Sequence, residues 1–530
     1  MKTHQNTDKN IQRMMTILII ILINILSVYL FYRIDLTKNK SYTLSRSTRE
    51  LIKKPKEEIR IKLFFSSNLP SEILTIKNYV KDLLSEYQNY SRSKIYFEFV
   101  NANDDKKFKK EAADSGIPSI TIQVMEKDKM EYRDIYIGMV MTYKGRYEKL
   151  GIISSTDGLE YQISSAIKRL VFPEEKKIAY FTPISFEESK SFEDLPDDPN
   201  FQAIGQLISN NYTIDRTDLY YPLPDETDLL IVSGIRDSLE QVQLYLLDQF
   251  IMRGKPVLWF QDRYISDINN DQAVLINSNV IKYLFDQSLY IKPNLVLDAY
   301  CYQISKYRQQ GQYTVPVSFD YPFFPVLQNH NKNHFITRHI GMVQSLFASE
   351  LYYKQNKNIR FTPLLMSSMS SYEFMGKEIN TGYQQFQDKS IAAAFTMESK
   401  VIAGLYEGKM NSYFQNKSMR HDKYLDQTEN AKILLVASNS LADNNILSNV
   451  KGNAEFVLNT VDYLCGNAAM IEMRSRTVNY SPLKKTSEKQ RFWIKISNFV
   501  IPVLIIILIA ILFYIRKIRQ IKRIKKHFQA

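Results

Sequence analysis

The chain has 530 residues, enough for two or three domains, and a formal net charge of +13 at pH 7. The basic excess lies near the chain ends: residues 1–13 contribute +2, residues 484–495 contribute +4 and residues 516–530 contribute +7. The long stretch 14–483 is therefore neutral. Because nucleic-acid binding needs a basic surface on the folded body, this distribution argues against a nucleic-acid partner.

Two uncharged apolar segments, one near each end, predict membrane-spanning helices. Residues 496–515 form an apolar run of 20 residues, and residues 14–32 form one of 19 residues. A helix needs about 20 such residues to cross the hydrocarbon core. The first segment is longer than the core of a usual signal peptide, and no small-residue cleavage site follows it. We therefore interpret it as an uncleaved anchor.

Two spans place both chain ends on the same side of the membrane. The tail 516–530 holds seven Lys or Arg residues and no acid, which favours a cytoplasmic location for the tail and for residues 1–13. The tail would lie against anionic lipid headgroups. The middle of the chain is then expected outside the cytoplasmic (inner) membrane, as in a periplasmic domain. Arg33 and Lys38 depart from this charge rule, but long domains translocate regardless of such charges.

Residues 34–172 are predicted to form a thioredoxin-like α/β domain. Ser45 or Ser47, with Glu50 close behind, predicts a helix start. Residues 59–66 and 94–101 alternate as strands do. Residues 71–90 and 158–171 have apolar side chains at helical spacing. With a short polar helix and two more strands before the last helix, the order β-α-β-α-β-β-α is that of a thioredoxin-like fold.

The residues that distinguish a redox thioredoxin are missing from this predicted domain. Pro118 stands before the third predicted strand, as in thioredoxin-like folds, or it simply begins a strand. The segment 65–70 after the first strand has no CxxC motif, so a redox role is not available. Cys301 and Cys465 are far apart; one disulfide is possible, but two free thiols fit better.

Residues 176–480 are predicted to form a second α/β domain. Strands alternate with helices from Lys176 to about residue 262, and Gly254 closes one of the helices. This alternation predicts a parallel sheet covered on both faces. A less regular stretch, about 300–425, follows as an insertion, and strand–loop–helix character returns at 432–445.

Two sequence patterns suggest ligand sites but do not fit them well. Residues 404–410 approach a phosphate-binding loop, but the pattern is one residue short and lacks the Ser or Thr that binds magnesium. His330, His334 and His339 lie close together without an acid or cysteine, which favours a loop over a metal site. We therefore predict no metal and no cofactor.

Residues at predicted strand ends are the remaining candidates for chemistry. Ser233-Gly234 and Ser438-Asn439-Ser440 each end a strand, where a related catalytic fold would hold a nucleophile or an acid. Asp197-Asp198 belong to an acidic loop and are expected to be solvated. Asp298 is the best buried-acid candidate, but a turn or cap at the strand end explains it better. We therefore predict no catalytic residue and a protein that is not an enzyme.

The chain resembles the ABC-transporter auxiliary proteins over nearly its whole length, and within them the auxiliary, substrate-binding-like subunit of gliding-motility transporters, the GldG type. The residues that carry the resemblance are Arg33–Thr37, Tyr42–Ser45, Pro293–Asp298, Thr362–Leu365 with Ser367 and Ser368, and Asn453, Phe456, Asn459, Asp462, Leu464 and Arg474. Many relatives have an acid after the strand at 432–438, where this chain has Ser438-Asn439.

The resemblance implies an extracytoplasmic module that lacks catalytic residues. It implies a parallel-sheet domain similar to glutamine-amidotransferase-like folds, a six-span permease partner and a cytoplasmic ABC ATPase. An unknown ligand or envelope component would complete the set of partners. Two alternatives stay open: a membrane-anchored envelope hydrolase or amidase with a strand-end site, and a structural scaffold of a motility complex.

Overall fold

The structure is a computed structural model, and it describes most of the chain between Thr43 and Arg474. The described residues are 15, 43–67, 69–100, 105–126, 129–173, 176–183, 199–310, 313–354, 356–387, 395, 398–415, 424–474, 510, 511 and 513–519. The chain divides into two units, Met1–Thr477 and Val478–Ala530. In the second unit, the described residues are helical.

The predicted spans 14–32 and 496–515 lie outside the described residues, apart from Met15 and a few residues from 510 onward. Within the part of the chain that the structure describes, no helix combines the length and the apolar character needed to cross a membrane. Asp197-Asp198 and most of the tail 516–530 also lie outside the described residues.

The first α/β part of the chain contains four helices and six strands among its described residues. The helices are α1 (Arg46–Leu51), α2 (Ser71–Tyr90), α3 (Asp105–Asp114) and α4 (Leu159–Val171). The strands are β1 (Ile59–Phe65), β2 (Ile95–Phe99), β3 (Ile120–Glu126), β4 (Lys129–Ile135), β5 (Ile137–Tyr143) and β6 (Arg146–Leu150). Ser45 caps α1 by accepting a hydrogen bond from the Thr48 amide, which confirms the predicted helix start.

A four-stranded sheet in the order β2-β1-β5-β6 organises this part. Strand β1 pairs parallel with β2 and antiparallel with β5. Alternate side chains of β1 serve two cores: Ile61 and Leu63 pack in the larger one, with α2 and α4, and Phe64 packs with Phe108 of α3 on the other face. The strand periodicity read from the sequence therefore places apolar side chains on both faces.

The structure differs from the predicted element order after α3. Strands β3 and β4 form a separate two-stranded sheet, so Pro118 precedes a hairpin strand and not a strand of the four-stranded sheet. The second of the two strands predicted before the last helix, residues 132–144, is divided at Tyr136, whose backbone amide donates a hydrogen bond to the Ser66 hydroxyl. Strand β6 is missing from the prediction. The thioredoxin-like assignment stays a prediction, since it rests on element order.

The second α/β part carries the remaining described elements of the first unit. Its helices are α5 (Pro199–Ile208), α6 (Gln241–Met252), α7 (Asn279–Asp286), α8 (Asn444–Asn449), α9 (Lys451–Leu464) and α10 (Ala468–Arg474). Its strands are β7 (Lys176–Phe181), β8 (Tyr212–Thr217), β9 (Thr227–Val232), β10 (Val257–Phe260), β11 (Tyr264–Asp267), β12 (Gln272–Leu275), β13 (Tyr290–Ile291), β14 (Asn294–Asp298), β15 (Cys301–Gln310), β16 (Tyr313–Leu327), β17 (Asn329–His330), β18 (Val343–Gln344), β19 (Leu351–Tyr352), β20 (Ile359–Met366), β21 (Ser371–Met375), β22 (Glu378–Asn380), β23 (Val401–Asn411) and β24 (Gln427–Val436).

An eight-stranded sheet in the order β17-β20-β23-β24-β10-β9-β7-β8 forms the centre of this part. The five strands from β24 to β8 are parallel, and β23, β20 and β17 continue the sheet in antiparallel fashion. The sequence predicts a parallel sheet and treats about 300–425 as an irregular insertion. The structure corrects the second point, because the antiparallel strands of the sheet come from this stretch.

Both faces of the eight-stranded sheet are covered by helices. On one face, Tyr180 and Leu258 belong to a core completed by α5, α8 and α9. On the other, Phe181 and Trp259 belong to a core completed by α6 and α7. Gly254 follows α6 with φ +73°, the left-handed conformation expected of a closing glycine.

Helix α10 leaves the second part and packs on the first. Its residues Met470 and Met473 belong to the apolar core of the four-stranded sheet, together with Leu51 of α1. The Ser47 hydroxyl donates a hydrogen bond to the Glu472 carboxylate, which joins α1 to α10. The first and last helices of the described body therefore lie side by side.

Candidate functional site

The carboxyl ends of four parallel strands meet at one edge of the eight-stranded sheet. Strand β8 lies on one side of β7, whereas β9, β10 and β24 lie on the other, so the strand order reverses between β7 and β9. Open α/β sheets bind ligands at such a reversal. This edge presents Thr182, Ser233, Asp262 and Asn439, the last of them within the predicted Ser438–Ser440 segment.

Asn439 ties the ends of three strands together. Its Oδ1 accepts hydrogen bonds from the Ser233 hydroxyl at 2.6 Å and from the Gly234 amide at 3.0 Å. The backbone amide of Asn439 donates to Asp262 Oδ1 at 2.7 Å. The Ser233 hydroxyl is therefore committed as a donor to an amide oxygen, an arrangement that holds the loops together but does not activate a nucleophile.

Asp262 is the most perturbed acid at this edge. Burial raises the pKa of its carboxyl to about 6, against the opposing effects of the Asn439 amide and the Arg236 charge. Sequence analysis missed this residue, although it follows a buried strand just as Asp298 does. Thr182 was missed as well: its buried hydroxyl has no hydrogen-bond partner among the described residues.

A segment from the β-rich part of the chain covers the same edge. The Ser349 amide donates to the Ala437 carbonyl at 2.9 Å. The Leu346 amide donates to Ser440 Oγ at 2.8 Å, and the Ser438 hydroxyl donates to the Leu346 carbonyl at 3.0 Å. The serines of the predicted strand end thus anchor a neighbouring loop, and Ser438 is completely buried.

Asp298 lies elsewhere and organises a turn. It ends β14, is fully buried, and accepts hydrogen bonds from the Ser368 amide at 2.6 Å, the Ser368 hydroxyl at 2.7 Å and the Tyr300 amide at 2.9 Å. Burial raises the pKa of this carboxyl despite these donors. The contacts agree with the capping role preferred from the sequence, and they bring together two segments that carry the family resemblance.

The phosphate-loop-like pattern and the histidines do not form a site. Residues 404–410 lie within strand β23, where a Cβ on Gly404 would stand 2.2 Å from the Phe361 ring. Burial lowers the pKa of His330, His334 and His339. Among the described residues, no three His, Cys, Asp or Glu side chains are grouped to hold a metal ion.

The two cysteines are free thiols. Cys301 is half-buried and Cys465 is buried, and neither forms a disulfide. Burial raises the pKa of the Cys301 thiol to about 12, and it also raises the pKa of the Cys465 thiol. Both thiols are therefore protonated at neutral pH, which makes them poor nucleophiles and poor metal ligands.

Replacing Asp298 with Ala should destabilise the second α/β part. The substitution leaves the Ser368 and Tyr300 donors without their acceptor in a buried turn, which should lower the free energy of unfolding by about 3 kcal/mol. Thermal unfolding of the purified protein measures the loss. The exposed Asp237 provides a control, Asp237→Ala; equal melting temperatures for both variants would contradict the assignment.

Replacing Asp262 with Asn should stabilise the protein in a pH-dependent way. A folded-state pKa raised to about 6 means that the folded chain holds a proton more tightly than the unfolded chain, so stability is lost as pH rises through 6. The introduced asparagine side chain still offers an oxygen to the backbone amide of Asn439, and it carries no charge to be buried. We expect a gain of about 1–2 kcal/mol at pH 7.5, allowing for partial exposure to solvent.

Melting temperatures of wild-type and Asp262→Asn protein between pH 4 and 8 test this expectation. The advantage of the variant should shrink as the pH falls towards 4, where Asp262 is protonated in the wild type. A difference that stays constant over this range would show that Asp262 is ionised in the folded protein throughout. Asp237→Asn serves as the exposed control.

Comparisons with known proteins identify the family. The family described as "ABC-type uncharacterized transport system" matches residues 148–460, and a domain family of unknown function matches residues 38–142. An uncharacterized protein of Borreliella burgdorferi is 22% identical over 534 residues, covering 98% of this chain and 99% of its own length.

Solved structures show weak similarity. The mmIFT52 N-terminal domain has a TM-score of 0.31 and 11% identity, over 54% of this chain and 96% of that one. A putative ThuA-like protein from Parabacteroides merdae has a TM-score of 0.26 and 12% identity, over 59% and 96%. An alpha-L-fucosidase from Paenibacillus thiaminolyticus has a TM-score of 0.25 and 11% identity, over 55% and 33%. All three TM-scores are 0.31 or lower, so these similarities identify neither the fold nor the function of this chain.

The match over residues 148–460 spans more than half of the 530 residues and agrees with the resemblance read from the sequence. The chain therefore belongs to the ABC-type uncharacterized transport system family, the auxiliary proteins of ABC transporters.

Proposed function

We propose that this chain is a non-catalytic auxiliary subunit of an ABC transporter, of the gliding-motility type. Two helices, 14–32 and 496–515, anchor it in the cytoplasmic membrane, with both termini in the cytoplasm and the folded body outside. The body binds a ligand or an envelope partner, and it couples that binding to a permease and an ATPase. The match to the transport-system family over residues 148–460 is the observation that carries the proposal.

The contact between α1 and α10 supports the two-span anchor. The chain reaches α1 from the proposed first span and leaves α10 towards the proposed second span. Ser47 and Glu472 hold these helices together, and Met470 and Met473 bury apolar side chains beside Leu51. A conformational change that moves α1 and α10 would thus act on the connections to both proposed spans together.

The hydrogen bonds of the strand-end candidates support a non-catalytic role. The hydroxyls of Ser233 and Ser438 donate to an amide oxygen and a backbone carbonyl, and Asp298 accepts three hydrogen bonds from a turn. These groups serve the folded structure. A hydrolase would instead leave its nucleophile within reach of a general base.

The basic tail 516–530 supports the cytoplasmic orientation of the chain ends. Its seven Lys or Arg residues would lie against anionic lipid on the inner leaflet and beside the ATPase. The gliding-motility assignment rests on the resemblance carried by all the resembling segments together, from Arg33–Thr37 to Arg474. The family match itself does not distinguish among transporter types.

Affinity purification of the full-length protein from membranes in a mild detergent, followed by mass spectrometry, tests the proposal. We expect a multi-span permease and an ABC ATPase to co-purify in a constant ratio. A tagged variant that ends before residue 496 provides a control, since loss of the second span should reduce recovery of the permease. Recovery of the chain alone, or with envelope enzymes only, would contradict the proposed function.

A further inference from the structure

A polar cavity of about 550 Å³ opens far from the strand-end edge. Its walls come from the end of α7, the loop before β20 and the end of β23. Because Asn411 at the end of β23 pairs with Gln427 at the start of β24, the cavity lies at the amino ends of the parallel strands. Its volume is in the range of cavities that hold small-molecule ligands.

Five of the 13 residues that line this cavity carry side-chain amides. Gln287, Asn358 and Asn411 are among them, and their side chains make no hydrogen bond with any described residue. The Gln287 residue is mostly buried, with 8% of its surface exposed. Such a group is costly to bury unless a ligand or water completes its hydrogen bonds.

The walls of the cavity are held in fixed positions. The buried Asp248 accepts hydrogen bonds from the Ser412 hydroxyl at 2.6 Å and the Tyr413 amide at 3.0 Å, which positions both residues at the cavity. Across the cavity, Asn356 Oδ1 accepts from the Asn358 amide at 2.9 Å, and the Asn356 amide donates to the Tyr353 hydroxyl at 3.1 Å. A preorganised site of this kind binds without paying to order its loops.

Exposed aromatic side chains neighbour a residue that lines the cavity. Phe285 is 57% exposed, and it lies on α7 three residues after Lys282, which lines the cavity. Its ring centroid is 4.7 Å from that of Tyr290, which is 6.2 Å from the half-exposed Tyr352. The apolar face of a sugar ring packs against aromatic rings of this kind, whose burial is favourable.

The chemistry of the ligand follows from these groups. Amides donate and accept hydrogen bonds, which suits vicinal hydroxyls. Three charged residues line the cavity. Lys409 pairs with Glu429 at 2.7 Å, and the positive charge of Lys282 is matched by the negative charge of Asp286, so the lining has no excess of cations for an anionic ligand. We propose that this cavity, with Phe285 at its rim, binds a neutral carbohydrate. This inference goes beyond the proposed transporter role and does not depend on it.

Calorimetric titration of the full-length protein with neutral oligosaccharides tests the proposal. The panel comprises soluble oligomers of glucose, mannose, galactose and N-acetylglucosamine, with an oligogalacturonate as the anionic comparison. The detergent must have no sugar headgroup, because a maltoside or glucoside would compete. We expect one or more neutral oligomers to bind at one site per chain, and the oligogalacturonate not to bind.

Variants locate the binding. Asn411→Ala and Phe285→Ala should each weaken binding at least about tenfold, which corresponds to about 1.4 kcal/mol. Tyr221→Ala, at an aromatic side chain that is 78% exposed and does not line the cavity, should leave affinity unchanged. Gln287→Leu should abolish binding without lowering the melting temperature, since it removes a mostly buried amide that has no hydrogen-bond partner among the described residues. Absence of binding across the neutral panel, or affinity unchanged in all three cavity variants, would overturn the proposal.

Discussion

A buried ion pair between Asp462 and Arg474 holds the second α/β part against the first. Arg474 donates to Asp462 at 2.5 Å and to the Tyr161 hydroxyl at 2.8 Å, and its guanidinium lies 4.5 Å from the centre of the Tyr161 ring. The Tyr212 hydroxyl donates to the other Asp462 oxygen at 2.5 Å. Burial lowers the pKa of Arg474, but the Asp462 carboxylate more than offsets this effect, so the pKa lies above its usual value. Arg474 thus stays charged. The pair connects α9, α10, α4 and β8, and loss of either partner would leave an uncompensated buried charge.

This junction gives physical content to the idea of an auxiliary subunit. Coupling between sites needs a contiguous element that both can bias, not distance alone. Here the closing helices of the second α/β part pack against the first part beside α1, where the chain connects to the proposed first span. Meanwhile the sheet edge that serves many α/β proteins as a ligand site is covered by residues 346–349 of the same chain. The amide-lined cavity at the opposite ends of the strands offers a different place for recognition.

Local sequence patterns predicted single elements well, but contacts between distant segments were beyond their reach. The cap at Ser45 and the closing Gly254 follow from neighbours a few residues away, and both were predicted. Asn439, by contrast, meets Ser233 and Asp262, which are 206 and 177 residues away in sequence. Strand β20 lay in the stretch that was read as an irregular insertion for the same reason, since its partner β23 lies outside the local window. Asp298 could be singled out as a strand-end acid, but its role became clear only from Ser368, 70 residues further along.

Regulation of ATP hydrolysis tests the central claim, that the outer body of this subunit acts on its transporter, most directly. The assembly that co-purifies with the chain would be reconstituted in liposomes, and its ATP hydrolysis rate compared with that of the permease and ATPase alone. We expect that adding the chain changes the rate several-fold. We also expect that Arg474→Ala, which breaks the junction, removes the change while the protein still associates with the permease. Equal hydrolysis rates with and without the chain would contradict the account.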